Sequence, residues 1–102
     1  EKLAIGYYLD GRVSAVWGTH THVPTADEGV FPKGTGYITD LGMTGPVHSV
    51  LGIPTEQSID RFLGGPPQRH QTAEGPCKMQ GAIFSLDSET GLCVDVERVD
   101  IR

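Results

Sequence analysis

Cysteine is scarce in this chain: only Cys77 and Cys93 occur, and they form no Cys-x-x-Cys pair. That spacing excludes a dithiol redox motif and a thiolate zinc ribbon, so the two read as reduced thiols of a cytosolic protein, with a disulfide between them left open. Basic charge is short as well. Lys and Arg number 8 against 13 Asp and Glu, a net charge of −5. A duplex nucleic acid or an anionic membrane needs clustered Lys and Arg, and neither is expected as a partner. A phosphate-bearing substrate would have to draw positive charge from elsewhere, and metal ions are the obvious source. No apolar run approaches the roughly 18 residues of a membrane span, and no basic, apolar, small-residue leader opens the chain. The cytoplasm is the expected address. An initiator Met is also lacking, and the sequence opens directly into a helical pattern, as a chain does that starts within a longer protein.

What is present is ordinary in bulk and unusual in its distribution. The 102 residues are 37% apolar and 21% charged, which suits one soluble domain with a modest core and no internal boundary. Gly (14) and Pro (7) fall in clusters between periodic segments, the mark of a fold with many shaped loops.

Apolar residues at three- and four-residue spacing predict a short amphipathic helix over Glu1 to Leu9, stopped by Asp10-Gly11. Tyr7, Tyr8 and Trp17 are expected in the core. Val13 to Trp17 reads as a largely buried strand that delivers the chain into Gly18. Residues 18 to 34 have no period and read as a long loop at the strand's carboxyl end, where open α/β sheets bind ligands. Tyr37-Ile38-Thr39 is a second strand, followed by a glycine-rich loop from Gly42 to Pro46. A helix opens at Pro54-Thr55-Glu56 with Thr55 as its cap, carries Ile59, Phe62 and Leu63 as its stripe, and ends at Gly64-Gly65-Pro66-Pro67. Gln68 to Pro76 is polar, and a hairpin closes the chain: Ala82 to Leu86, a turn at Asp87 to Gly91, then Leu92 to Ile101. The alternation of the last strand slips at Glu97-Arg98, which predicts a bulge there. The whole is of α/β class.

His20 and His22 carry the strongest chemical signal. Neutral imidazole is the commonest nitrogen ligand of Zn, Fe and Mn, and one intervening residue after a strand lets a loop turn each ring toward a different ion. The competing reading is two histidines at a strand terminus bonded to backbone and solvent. Two donors do not close a site, because a transition metal takes at least about four. Thr19, Thr21 and Asp27 lie near enough in sequence to orient the rings. Asp40 and the Gly42 to Pro46 loop, with Gly42 and Thr44, are candidates to approach a substrate phosphate, a structural turn being the alternative. Asp27 and Glu28 otherwise read as a solvated turn, His48 and His70 as solvated.

The segments Glu1-Lys2 through Asp10-Gly11-Arg12-Val13-Ser14-Ala15-Val16, Gly18-Thr19-His20-Thr21-His22-Val23, Thr25-Ala26-Asp27-Glu28 and Tyr37 to Pro46 resemble, in order and without gaps, the YmdB-type family of bacterial metallophosphoesterases. The likeness continues through Arg61-Phe62-Leu63 into the hairpin. The resemblance implies a calcineurin-like α/β sandwich holding two metal ions, often iron or manganese, and cleaving phosphodiesters such as 2′,3′-cyclic nucleotides. It implies His20 on one ion and His22 on the other. It implies also that this chain is the carboxyl-terminal portion, with the carboxylates, the Asn and the His that complete the site, and the general acid, lying in an amino-terminal part. Pro24 stands where the family has Gln, which stiffens the loop. Two other readings stay open: a metal-binding or homo-oligomerisation module without catalysis, and a short product with a structural role only.

Overall fold

In the computed structural model, which describes all of residues 1–102, helix α1 (Lys2–Leu9) runs into Asp10 and Gly11, and Gly11 reverses the chain at a φ of 80°. Asp10 is buried, and its carboxylate accepts the Lys33 and Thr35 N–H groups. Helix and loop are thereby tied to the segment that becomes the central strand.

The first sheet contains β1 (Ala15–Trp17), β2 (Gly29–Val30) and β3 (Gly36–Ile38) in the order β1-β3-β2. β1 runs parallel to β3 and β2 antiparallel to it. Residues 35 to 38 are buried without a break, as expected of a central strand covered on both faces. The second sheet is antiparallel, β4 (Gly45–Pro46), β5 (Cys77–Leu86) and β6 (Cys93–Ile101), and α2 (Thr55–Phe62) lies between β4 and β5 in sequence. The sheets meet at Gly36, where a Cβ would stand 2.5 Å from Cys93 Sγ and 2.7 Å from Phe84 Cδ1. Phe84 also meets Trp17, ring centroids 5.9 Å apart. Tyr7, Phe31 and Tyr37 stack in series beneath α1, at 4.3 and 4.7 Å. Gly6 is buried there, and a Cβ in its place would strike Tyr37, so glycine lets α1 lie this close.

Both helices, the strands before Gly18 and at Tyr37-Ile38, and the terminal hairpin stand where the pattern places them, and the α/β class holds. Several expectations are corrected. Glu97 and Arg98 pair in regular register with Ile83 and Ala82, so no bulge lies there. The irregularity is at Val94, left over between Cys93↔Leu86 and Asp95↔Ser85. That extra residue brings Cys93 and Val96, three apart, to the same buried side. The phase slip has another cause. Val96 shares the inner face with Phe84, whereas Val99 and Ile101 share the opposite face with Met79, Gly81 and Ile83, so the apolar set changes face while the ladder runs on.

Helix α2 is capped by Pro54 and not Thr55, without a side-chain cap bond. β5 begins at Cys77, five residues before the predicted strand, because its first residues pair with β4. Tyr7, Tyr8 and Trp17 are not core: they are 60%, 69% and 56% exposed, and β1 is an edge strand with no neighbour on its outer side. The apolar stripe of α2 is also uncovered, with Phe62 92% exposed. The radius of gyration is 17.2 Å, against about 13 Å for a closed domain of this length. No helix is long and apolar enough to cross a membrane.

Candidate metal centre

The parallel pairing of β1 and β3 sends both chains out at one edge of the sheet. From β1 come Gly18 to Val23, with His20 and His22; from β3 come Thr39 to Met43, with Asp40 and Gly42. The Leu41 N–H donates to Gly18 O at 3.0 Å, extending the contact one step beyond the ladder. A Cβ on Gly18 would collide with Thr39 O, so the first residue of Gly-Thr-His-Thr-His must be Gly for the two segments to lie this close. The loop therefore stands at the carboxyl end of its strand, as expected from the sequence, and that strand is half of a parallel pair.

Both histidines have left-handed backbones, φ 112° at His20 and 64° at His22. Such conformations cost a non-glycine residue on the order of 1–3 kcal/mol and persist where the surroundings over-determine them. His20 is exposed and His22 half-buried. His22 Nδ1 is buried and has no hydrogen-bond partner. A ring nitrogen withdrawn from water and left unbonded is costly, and an electron-pair acceptor would relieve it. No third His, Cys, Asp or Glu joins the pair into a group able to hold an ion, here or elsewhere in the chain. The residues fit a metal as contributors to a larger ligand set.

Asp40 organises the loop from beneath. It is 0% exposed, and its Oδ2 accepts both the Thr21 N–H (2.9 Å) and the Thr21 hydroxyl (2.8 Å), while Oδ1 accepts the Gly42 N–H (2.9 Å). Lys2 Nζ lies 3.5 Å from Oδ2 and donates to Thr19 O. Burial favours the neutral acid, yet the bonds from Gly42 and Thr21 and the Lys2 charge outweigh it and hold the carboxyl below its ordinary range. Both oxygens of Asp40 are thus engaged within the protein.

Asp27 does not orient the imidazoles. Its carboxylate accepts Thr25 Oγ1, Thr39 N–H and Thr39 Oγ1, closing the loop onto the end of β3. Partial burial opposes its ionisation, but these bonds prevail and depress its titration. Glu28 is no solvated turn residue either: Oε1 takes Arg98 Nε at 3.0 Å, joining the loop to the hairpin, while Oε2 is buried and unpartnered.

Gly42, at φ 90°, packs against Pro24 and Gln80, and its amide is committed to Asp40. Thr44 is exposed. His48 is exposed, and His70, near α2, is also exposed and bonds Arg61 at 3.0 Å. Both cysteines are free, Cys77 exposed and Cys93 buried. Sequence reasoning missed the work of Asp40. The signal was the Asp40-Leu41-Gly42 spacing after a buried strand, which suits a carboxylate that bonds the amide two residues on.

Comparison with known proteins gives a consistent picture. The family model described as YmdB-like protein matches residues 1–99. The 2′,3′-cyclic-nucleotide 2′-phosphodiesterase of Bacillus subtilis (strain 168) is 52% identical over 102 residues, covering 100% of this chain and 39% of that protein. A solved structure of a hypothetical protein from Thermus thermophilus superposes with a TM-score of 0.89 at 46% identity, over 98% of this chain and 39% of its own. That of a novel phosphatase from Mycoplasma pneumoniae superposes with a TM-score of 0.91 at 40% identity, over 98% and 36%. The chain thus spans well under half the length of these relatives.

Proposed function

The chain belongs to the YmdB-like family, and from that membership we propose that it supplies His20 and His22, one to each of two metal ions, in a phosphodiesterase that acts on cyclic nucleotides or similar small phosphodiesters. The observation that carries the reading is the buried, unpartnered Nδ1 of His22 in a strained loop at the carboxyl end of a parallel strand pair.

The ions, iron or manganese, would when bound polarise the phosphoryl group and lower the pKa of an attacking water. This chain's part is to present two imidazoles on a loop braced by Asp40, with the remaining donors supplied by polypeptide outside these residues. Thr44 offers an exposed hydroxyl to a phosphate oxygen, and Gly42, lacking a Cβ, lets that segment lie against Pro24. No residue here is placed as a general acid. That role, worth about 10²–10⁴ in rate, belongs in this reading to the same outside polypeptide. The 102 residues alone are then inactive. The location proposed is the cytoplasm, where Cys77 and Cys93 stay reduced.

The test is metal content by elemental analysis, with hydrolysis of 2′,3′-cyclic AMP and bis-p-nitrophenyl phosphate, on the protein expressed from its whole coding sequence and on His20→Ala and His22→Ala. Each variant should lose metal and activity, and unchanged metal content in both would refute the ligand assignment. A second reading, a metal-binding module without catalysis, rests on the same unpartnered His22 Nδ1. It predicts metal bound by the protein expressed from its whole coding sequence and lost in both histidine variants, without turnover.

A further inference from the structure

We propose that Asp40 is a positioning residue for the two histidines, acting through Thr21; the proposal rests on the reading of His20 and His22 as metal ligands. Thr21 is the residue between them. Its neighbours on both sides occupy left-handed backbone that an unrestrained loop would leave, so something must hold the middle of the segment. Only Asp40 does so from outside the loop. One carboxylate oxygen takes both the amide and the hydroxyl of Thr21, and the hydroxyl in turn accepts the Val23 N–H at 3.2 Å. The brace thus passes from Asp40 through Thr21 to the residue beyond His22.

Asp40 is itself tied down on both its backbone and its side chain. It follows the buried end of β3, its N–H donates to Thr25 Oγ1 at 3.0 Å, and its carbonyl accepts the Thr25 N–H at 3.1 Å. Its second oxygen is taken by Gly42, so the carboxylate cannot swing away without abandoning that amide as well. Lys2 adds charge balance at the same oxygen that holds Thr21 and fixes Thr19 O, one residue before His20. The segment is thereby gripped at Thr19, Thr21 and Val23, and the histidines are the two residues between the grips. The pattern serves ligand presentation: alternate residues are committed to the protein, and those between are free to commit to an ion.

The experiment uses the protein expressed from its whole coding sequence, Mn²⁺ alone as probe, and affinity read by titration together with the Mn²⁺ paramagnetic resonance spectrum. Thr21→Val keeps the side-chain shape and removes the hydroxyl; Thr21→Ser restores it; Asp40→Asn removes the charge; His20→Ala and His22→Ala are the reference. Thr21→Val should lower Mn²⁺ affinity by about 10–100-fold, the usual cost of losing a group that orients ligands, and should change the spectrum of the ion that remains. Thr21→Ser should return both to wild type. Asp40→Asn should weaken binding at least as much, and if that variant fails to fold, the Thr21 pair decides. Wild-type affinity and spectrum in Thr21→Val, with only thermal stability reduced, would show that the brace is structural and overturn the proposal. If His20→Ala and His22→Ala also bind Mn²⁺ as wild type does, the ligand reading falls and this inference with it. If they lose the ion and Thr21→Val does not, the ligand reading stands and this inference alone is wrong.

Discussion

Gly18→Ala is the substitution that most directly tests how the site is built. Gly18 has no left-handed backbone to protect, so the cost of a side chain there is one of space. A Cβ there would lie well inside 3.0 Å of Thr39 O, a distance real Cβ atoms do not breach. The obstacle is backbone of the neighbouring strand segment and cannot rotate aside. β1 must therefore retreat from β3 at the point where both loops leave the sheet, and the Leu41 N–H to Gly18 O bond, 3.0 Å long, lies across the widening gap. Overpacking of this kind costs about 1–3 kcal/mol, and a stretched backbone bond adds about 1 kcal/mol, so a loss of about 2–4 kcal/mol is expected. The assay is urea unfolding, with Lys2→Ala/Gly18→Ala beside the single variant. Lys2 carbons lie 3.1 Å from the added Cβ, but trimming them leaves the carbonyl in place, and the double variant should be no more stable. Gly36→Ala is the contrast, because its Cβ meets the side chains of Cys93 and Phe84, and Gly36→Ala/Cys93→Ala should recover part of the loss. A Gly18→Ala protein within about 0.5 kcal/mol of wild type, the scatter of neutral surface changes, would refute the reasoning.

Acid should weaken the fold through Asp40 and Asp27. Both carboxyls titrate below their ordinary value in the folded chain, so their contribution is full above the unfolded value of about 3.9 and is lost as pH falls through the depressed folded values. Unfolding free energy followed from pH 6 to about pH 2 should fall steeply only at the acid end, and Asp40→Asn should flatten that slope; an unchanged slope would contradict the assignment. Deleting Val94 should regularise the ladder and leave Cys93 and Val96, then two apart, on the same buried side, and so destabilise less than deleting Arg98 from the regular ladder, which turns Val99 and Ile101 to the other face, compared by thermal unfolding. Arg98→Ala should cost under about 1 kcal/mol, since its pair with Glu28 is partly solvated, which a double-mutant cycle with Glu28→Gln would measure.

What was legible in the sequence is what local pattern controls. The glycine stops, helix α2, the Asp87 to Gly91 turn and the strand run before Gly18 all reappear, because each depends on residues within a few positions of one another. The two-residue strands β2 and β4 carry no period and exist only because a longer strand lies beside them. The bulge was misplaced for a related reason: alternation reports which side chains are apolar, and in β6 both faces are apolar in turn. Burial was overestimated for Tyr7, Tyr8 and Trp17, since hydrophobicity says that a residue seeks cover and not whether these 102 residues provide it. A radius of gyration of 17.2 Å records the same shortfall.

The histidine pair was legible as a motif, and the reason for its form was not, because that reason is a residue 18 positions beyond His22. Left-handed backbone at His20 and His22 is strain that the loop sequence cannot hold by itself, whereas hydrogen bonds to a charged, buried carboxylate are worth about 1.5–3 kcal/mol each, enough to offset strain of that order. The carboxylate reaches Thr21 only because β1 and β3 are parallel and adjacent, so the loop that follows one strand lies over the loop that follows the other. Glycine at position 18 brings the two close, Asp27 and Thr25 hold the far end of the loop to Thr39 and Asp40, and Asp40 fixes the middle. The geometry of the histidines is thus a property of the strand pairing, and a change in β3 that never touches an imidazole can move them both.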